Sequence, residues 1–304
     1  MIPGDVALLR LGHLLRDAGY RFITITPASH RRVNSRPENA IARTLRDVFG
    51  WSRPFARTLL SDEMLALLSD AGCLIDDGEL LRTTVRFSTR DEKIFVHSAF
   101  PTTGADAVFF GPDTYRYLSL LERLAPTAKR AIDIGAGSGA GGLFIANACG
   151  SVVLSDINDV ALRYSRINAE LNGISNVKIV RSDVLRDIDG DVDLVIANPP
   201  YLVDDDARLY RDGGGTFGER LSLEIVRQSL DRLTSGGRLI LYTATAFVEG
   251  TDTFRTAVEP LLTEKNLDIR YNELDPDVFN EELDRDAYRC AERIAVVALD
   301  VRVR

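Results

Sequence analysis

The chain has 304 residues, 45% of them hydrophobic and 27% charged, and a net charge of −8, the balance of an ordinary globular protein. No apolar run approaches the roughly 20 residues that span a bilayer, and no basic-then-apolar leader opens the chain. Cys73, Cys149 and Cys290 are widely spaced with no CxxC pair, which argues against a zinc site and predicts a reduced, cytoplasmic setting. The charge is uneven: residues 1–100 hold 14 Lys+Arg against 12 Asp+Glu, and the remainder holds 23 against 33. A part that acidic repels a phosphate backbone unless its cations cluster, and suits a neutral or cationic partner better.

In chain order, apolar residues at helical spacing predict a helix over 6–18 that Gly19 stops. Ser35-x-x-Glu38 reads as a capping box with Pro37 in the first turn, opening a helix to about Phe49. Ser52 with Pro54 reads as a second start, and a third helix over 62–71 is begun by Ser61 and ended by Gly72. The period then changes to two: 81–87 and 93–97 flank a short polar turn and predict a β-hairpin. Helices followed by a hairpin predict a winged-helix-like N-terminal domain over 1–100, for substrate recognition or assembly. Residues 101–107 read as its linker to a domain over 108–304. Seven arginines (31, 32, 36, 43, 46, 53 and 57) face only Glu38 and Asp47 between residues 31 and 57. They read either as a contact for nucleic acid or acidic protein, or as a solvated face.

After residue 108 a segment with Asp113 and Thr114 precedes a helix carrying Leu118, Leu120, Leu121 and Leu124. Apolar runs follow at 131–134, 151–155, 177–180, 192–197, 237–243, 267–271 and 293–300, with helical segments between them. That alternation implies an α/β fold, a doubly wound, mostly parallel seven-stranded sheet, with the last two runs as candidates for an antiparallel return. The centre of the pattern is AIDIGAGSGAGGLFIA at 131–146, a buried strand, a tight glycine turn and a helix opening at about Ala140. Gly135, Gly137 and Gly139 allow positive φ and a close ligand approach. Asp133 lies inside the strand and needs a partner there. Asp156 ends the next run, 21 residues after Gly135, where a carboxylate can accept both ribose hydroxyls of a nucleoside. These features alone fit an NAD site equally well. Asp183 follows the third run, and Asn198-Pro199-Pro200-Tyr201 ends the fourth.

Together these pieces resemble the class I S-adenosylmethionine-dependent methyltransferases. The NPPY motif is similar to that of the amino- and amide-N-methyltransferases, which include the release-factor glutamine methyltransferases and the N6-adenine enzymes. The resemblance covers roughly residues 110–304 and implies S-adenosylmethionine as cofactor. It implies cofactor contacts from Asp133, Gly135, Gly137, Gly139, Asp156 and its neighbour Ile157, Asn198, Ser182-Asp183-Val184 around the adenine, and Asp113-Thr114 over the methionine end. A helix N-cap explains that Asp-Thr pair equally well. A planar nitrogen is a poor nucleophile because its lone pair is delocalised. The Asn198 side-chain oxygen and the Pro199 carbonyl are placed to accept its two N–H groups, and Tyr201 offers a ring to stack on. Glu281 and Glu282, followed by Asp284 and Asp286, are candidates for holding a cationic acceptor, or an ordinary acidic helix start. The acid-proline pair common after the motif in glutamine methyltransferases is absent from 204–221.

The expected function is N-methylation of an amide or guanidinium on a protein side chain or small metabolite. The alternatives are an exocyclic amine of RNA or DNA, an NAD-binding oxidoreductase without use for NPPY, and a winged-helix regulator that senses the cofactor.

Overall fold

The computed structural model describes residues 2–263 and 266–304. The N-terminal elements are α1 (Pro3–Asp17), α2 (Pro27–Asn34), α3 (Leu45–Phe49) and α4 (Asp62–Asp70), then two hairpins, β1 (Leu74–Asp77) with β2 (Leu80–Thr83) and β3 (Val85–Arg90) with β4 (Lys93–Ser98). The first and third predicted helices are present, whereas the helix expected from Ser35 is not. Ser35 ends α2 instead, its hydroxyl donating to the Arg32 carbonyl, and only a 3-10 turn follows at Pro37–Asn39. The capping box belongs to Thr44 and Asp47, which start α3. Ser52 starts no helix; it sits at φ 52°, and the chain after it pairs at Phe55 with Leu81. The hairpin expected from 81–87 and 93–97 is split at Thr84, whose N–H donates to Cys73 and whose carbonyl accepts from Ala99. Leu80–Thr83 therefore turns back on Leu74–Asp77 across Gly78 at φ 82°, and only Val85–Arg90 pairs with Lys93–Ser98.

The rest is a three-layer α/β unit. Its helices are α5 (Pro112–Leu124), α6 (Ala140–Ile145), α7 (Asp159–Leu171), α8 (Arg220–Arg232) and α9 (Thr253–Thr263). Its strands are β5 (Ala128–Ile134), β6 (Cys149–Asp156), β7 (Val177–Arg181), β8 (Val192–Ala197), β9 (Leu233–Val248), the short β10 (Thr251–Asp252), β11 (Leu267–Asp275) and β12 (Arg293–Val303). The strand order is β11-β12-β9-β8-β5-β6-β7, with β10 paired to β9. All seven apolar runs are strands. Along that seven-strand path β12 alone reverses direction, the short β10 also pairing antiparallel with β9; β11 lies beyond β12 at the edge, antiparallel to it. The chain winds from β5 through β6 and β7 one way and through β8 and β9 the other. The switch point therefore lies between β5 and β8, where their carboxyl ends leave a crevice.

The apolar core of the N-terminal elements does not close on itself. Leu8, Leu11, Phe55 and Val96 pack in one cluster with Ala161, Tyr164, Ile167 and Leu171 of α7. Two asparagines on α7 fasten β4 to it. Asn168 accepts from Val96 N–H (2.7 Å) and donates to Val96 O (3.0 Å); Asn172 accepts from Ile94 N–H (3.1 Å) and donates to Ile94 O (2.8 Å). One helical turn rises about 6 Å per four residues, and two strand residues rise about 6.6 Å. Side-chain amides four apart on a helix thus serve as the missing neighbour strand for β4. Asn168 also donates to Ser138 O (2.9 Å), within the glycine turn.

Candidate active site

The carboxyl ends of β5, β6, β7 and β8 open into a cavity of about 920 Å³, at the upper end of the ~300–1,000 Å³ usual for small-molecule sites. The glycine turn after β5 forms one wall. Gly135 and Gly137 sit at φ 65° and 57°, which only glycine adopts without strain, and both line the cavity. Across the switch point Asn198 and Pro199 form the facing wall; a Cβ on Gly135 would lie 3.9 Å from Pro199 Cα. Gly139 caps α6 at φ 79° and does not line the cavity.

Asp156 stands at the end of β6 with one oxygen accepting from Gly137 N–H (2.9 Å) and the other from Asn158 N–H (2.9 Å). Burial raises its pKa against those backbone bonds, which stabilise the charged form. A carboxylate has about four acceptor positions, so two remain for a pair of hydroxyls. Beside it Ile157 is 44% exposed into the cavity, an apolar side chain on which a flat ring can lie, and Ser182 and Val184 line the same end. Asp183 lines the cavity while its carboxylate is paired to Arg186.

Asp133 finds the partner it needs in the helix that follows the glycine turn. It points behind the turn, accepting from Gly142 N–H at 2.7 Å, and is not part of the cavity wall. Burial, with the nearby Asp156 charge, pushes its pKa up to about 7 against the Gly142 bond. Asp113 and Thr114 divide the duties expected of them as a pair. Thr114 Oγ1 accepts from Gly111 N–H (3.2 Å), the capping contact of α5. Both residues line the cavity, and Asp113, buried, accepts from the Tyr242 hydroxyl (2.8 Å) and Arg116 (3.1 Å).

Asn198 is the most telling side chain: its Oδ1 is buried and has no hydrogen-bond partner among the described residues. An unsatisfied buried acceptor costs on the order of 1–3 kcal/mol, and it is retained here in a cavity wall. Tyr201 is buried against Tyr242 and Phe279 (ring centroids 6.3 and 6.0 Å) and lends the cavity part of its ring. The 202–212 segment roofs the site: Leu209 N–H donates to Ala105 O, the Tyr210 hydroxyl to Thr102 O, and Arg211 pairs with Glu282. Glu281 and Glu282 both line the cavity, but they differ. Glu281 is exposed, whereas Glu282 is 4% exposed and neutralised by Arg211 and Arg285, so it is a fastener for the roof rather than a free carboxylate for a cation. The sequence reading missed the N-terminal lining from Thr26, Pro27, Ala28 and Arg31, and the aromatic rim of Phe100, Phe109 and Tyr210. No short motif marks them; they arrive through long-range packing.

The model of the methyltransferase small domain family matches residues 117–260, the stretch that holds the glycine turn, Asp156 and NPPY. Residues 117–260 thus match a methyltransferase small domain. The release factor glutamine methyltransferase of Lactococcus lactis is 32% identical over 146 residues, 43% of this chain and 53% of that protein. That of Deinococcus radiodurans is 32% identical over 157 residues, 46% and 55%. The ribosomal RNA small subunit methyltransferase C of Chromohalobacter salexigens is 30% identical over 125 residues, 40% and 33%. The chain thus spans about half the length of the glutamine methyltransferases it matches. Among solved structures, the M. jannaschii tRNA m1G37 methyltransferase aligns with TM-score 0.50 at 16% identity, over 72% of this chain and 57% of that one. The protein SMU.776, crystallised with SAH, aligns with TM-score 0.50 at 14% identity, over 80% and 65%. These structural likenesses bear on the fold, and the methyltransferase small domain has the doubly wound sheet expected of it. The match favours a methyltransferase over the oxidoreductase alternative. The residues present in the domain fit S-adenosylmethionine: a carboxylate with two free acceptor positions, apolar flanks for a purine and a glycine turn open to close approach. Among the described residues no group of three or more His, Cys, Asp or Glu could hold a metal, and no helix is long and apolar enough to cross a membrane.

Proposed function

We propose that this chain is a cytoplasmic S-adenosylmethionine-dependent N-methyltransferase whose acceptor is a planar nitrogen, foremost the amide of a protein side chain. The observation that carries the proposal is Asn198, which lines the cavity across the switch point from Gly135 and whose buried Oδ1 has no hydrogen-bond partner among the described residues. When bound, the cofactor supplies an electrophilic methyl group on a sulfonium. Asp156 holds the ribose hydroxyls with its two remaining acceptor positions, Ile157 and Val184 flank the purine, and Gly135 and Gly137 let the backbone approach. Asn198 Oδ1 and the Pro199 carbonyl accept the two N–H groups of the acceptor and so aim its lone pair. Their bonds strengthen as positive charge grows on that nitrogen. Tyr201 borders the plane of the acceptor, and residues 1–100 help to recognise its carrier, since α2 and Phe100 reach the cavity. The amide is preferred because the two glutamine methyltransferases match more of this chain (43% and 46%) than the ribosomal RNA methyltransferase does (40%), although the acid-proline pair after the motif is missing. An exocyclic amine of RNA offers the same two N–H groups, and a second reading on that acceptor is favoured by Arg31 at the rim.

The test is labelled S-adenosylmethionine incubated with separate pools of total protein, RNA and small metabolites, using wild type, Asn198→Ala and Asn198→Asp. Label in protein is expected. Asn198→Ala should keep cofactor affinity and lose on the order of 10²–10³ in single-turnover rate, by analogy with a lost oxyanion-hole donor. Asn198→Asp keeps both acceptor positions and should retain more activity toward a cationic acceptor than toward a neutral amide. Wild-type rates in Asn198→Ala would make NPPY a structural turn and end the nitrogen assignment.

A further inference from the structure

We infer that the outer face of residues 27–57 docks an unpaired RNA strand whose path leads into the candidate active site. The inference goes beyond the methyl-transfer reading and does not rest on it, because it concerns binding alone. Elsewhere in the N-terminal region most cations are matched: Arg10 pairs with Glu63, Arg21 with Glu92, Arg82 with Asp77 and Arg90 with Glu122. Between 27 and 57 the structure sorts the seven arginines. Arg53 is buried against Asp47, and Arg46 lies over the Phe22 ring. Arg31, Arg32, Arg36, Arg43 and Arg57 are exposed and have no acidic partner among the described residues, while Asp47 is already engaged by Arg53 and Thr44.

These five belong to one compact piece of chain. Asn34 donates to Trp51 O (2.9 Å) and accepts from Arg53 Nε (2.9 Å), Asn39 donates to Val33 O (2.8 Å), and Ala42 N–H donates to Pro54 O (2.8 Å). Its inner side is occupied by His30, Val48, Phe49 and Phe55, so the five guanidiniums stand on the outside. Residues 101–304 carry a net −10 and repel a polyanion, which directs it onto this face. Arg31 then joins the face to the cavity, where the other lining arginines, 116, 208 and 211, all have carboxylate partners. Past Arg31 the rim is aromatic: Phe100, Phe109 and Tyr210 line the cavity partly exposed, with Phe109 stacked on Tyr210 at 5.6 Å. Cations that meet phosphates, followed by rings that meet unstacked bases, match a single strand. An acidic peptide has no use for the rings, and a duplex hides its base faces from them.

The test is fluorescence anisotropy of the full chain with a fluorescein-labelled 20-nucleotide unstructured RNA, a 20-base-pair DNA duplex and a labelled poly-glutamate, from 50 to 200 mM KCl. Five phosphate contacts predict a log–log salt slope of about −3.5, hence a weakening of RNA binding by roughly 10²-fold over that range. With Arg32, Arg36, Arg43 and Arg57 all changed to Gln, one contact remains and the weakening should shrink to about threefold. These side chains are exposed, so an unchanged urea midpoint is expected; single Arg36→Gln and Arg57→Gln variants should each flatten the slope by about 0.7. Phe109→Ala should weaken RNA binding about tenfold at every salt concentration, leaving the slope alone. Three results would overturn the inference: no RNA binding at 50 mM KCl, a slope unchanged in the Gln variants, or poly-glutamate or duplex binding as tight as the RNA.

Discussion

Asp133→Asn gives the sharpest physical test of how the glycine turn is held. In the folded chain burial pushes the Asp133 carboxyl up to about 7, from an ordinary value of 3.8. Between those two values the folded state holds a proton that the unfolded state releases, so stability falls as pH rises through the window. The loss is absent below pH 4, grows by about 1.4 kcal/mol per pH unit and stops near pH 7, for a total of up to ~4 kcal/mol. Asparagine keeps an acceptor oxygen for Gly142 N–H and has no charge to bury, so it escapes this loss. Urea unfolding of both proteins at pH 4.5, 6 and 8 isolates the effect, because titrating groups distant from Asp133 cancel in the difference and the nearby Asp156 is the coupled exception. The stability of the variant relative to wild type should climb by several kcal/mol between pH 4.5 and 7 and be flat above. A constant difference would mean that Asp133 ionises normally in its buried position, and that its bond to Gly142 outweighs desolvation.

Asp156→Ala should weaken cofactor binding by about 1–3 kcal/mol, the range for hydrogen bonds to a charged group, measured by titration calorimetry. Because Asp156 also holds Gly137 and Asn158, Asp156→Asn should recover part of that loss; equal affinity in all three proteins would remove Asp156 from the binding site. Gly142→Ala should lower stability by roughly 1–3 kcal/mol through overpacking, since its Cβ would meet Leu154 Cδ2 at 2.2 Å and Val152 Cγ1 at 3.1 Å. An unchanged urea midpoint would show that the helix shifts freely on the sheet.

The sheet was legible because its strands are buried on both faces and read as unbroken apolar runs, so β5 to β9, β11 and β12 stand where 131–300 placed them. The N-terminal hundred residues were read less well, and for local reasons. Ser35-x-x-Glu38 has the letters of a capping box, but Asn39 and Ser35 bond back to the carbonyls of α2 and end a helix there. Asp77-Gly78, a strong hairpin signal, was passed over in favour of the longer alternation from Leu81. Within the site, side chains at strand ends were found from spacing. Which way they point was not: Asp133 turns behind the loop, and Glu282 is consumed by two arginines. Arg31 and Phe100 reach the cavity only because the N-terminal core closes over α7.

The two amide clamps from α7 to β4 have a consequence for how the molecule opens. Ile94 and Val96 N–H are held by side chains of Asn172 and Asn168, and by no neighbouring strand. Their hydrogen-exchange rates therefore clock the lifting of the hairpin from the helix rather than the fraying of a sheet. Asn168 also grips the glycine turn through Ser138 O. Each such opening therefore frees the turn over which a ligand would lie, and a ligand that tightens the turn slows exchange at two amides on the far side of the helix. One side chain of α7, Asn168, thus holds both the hairpin and the glycine turn.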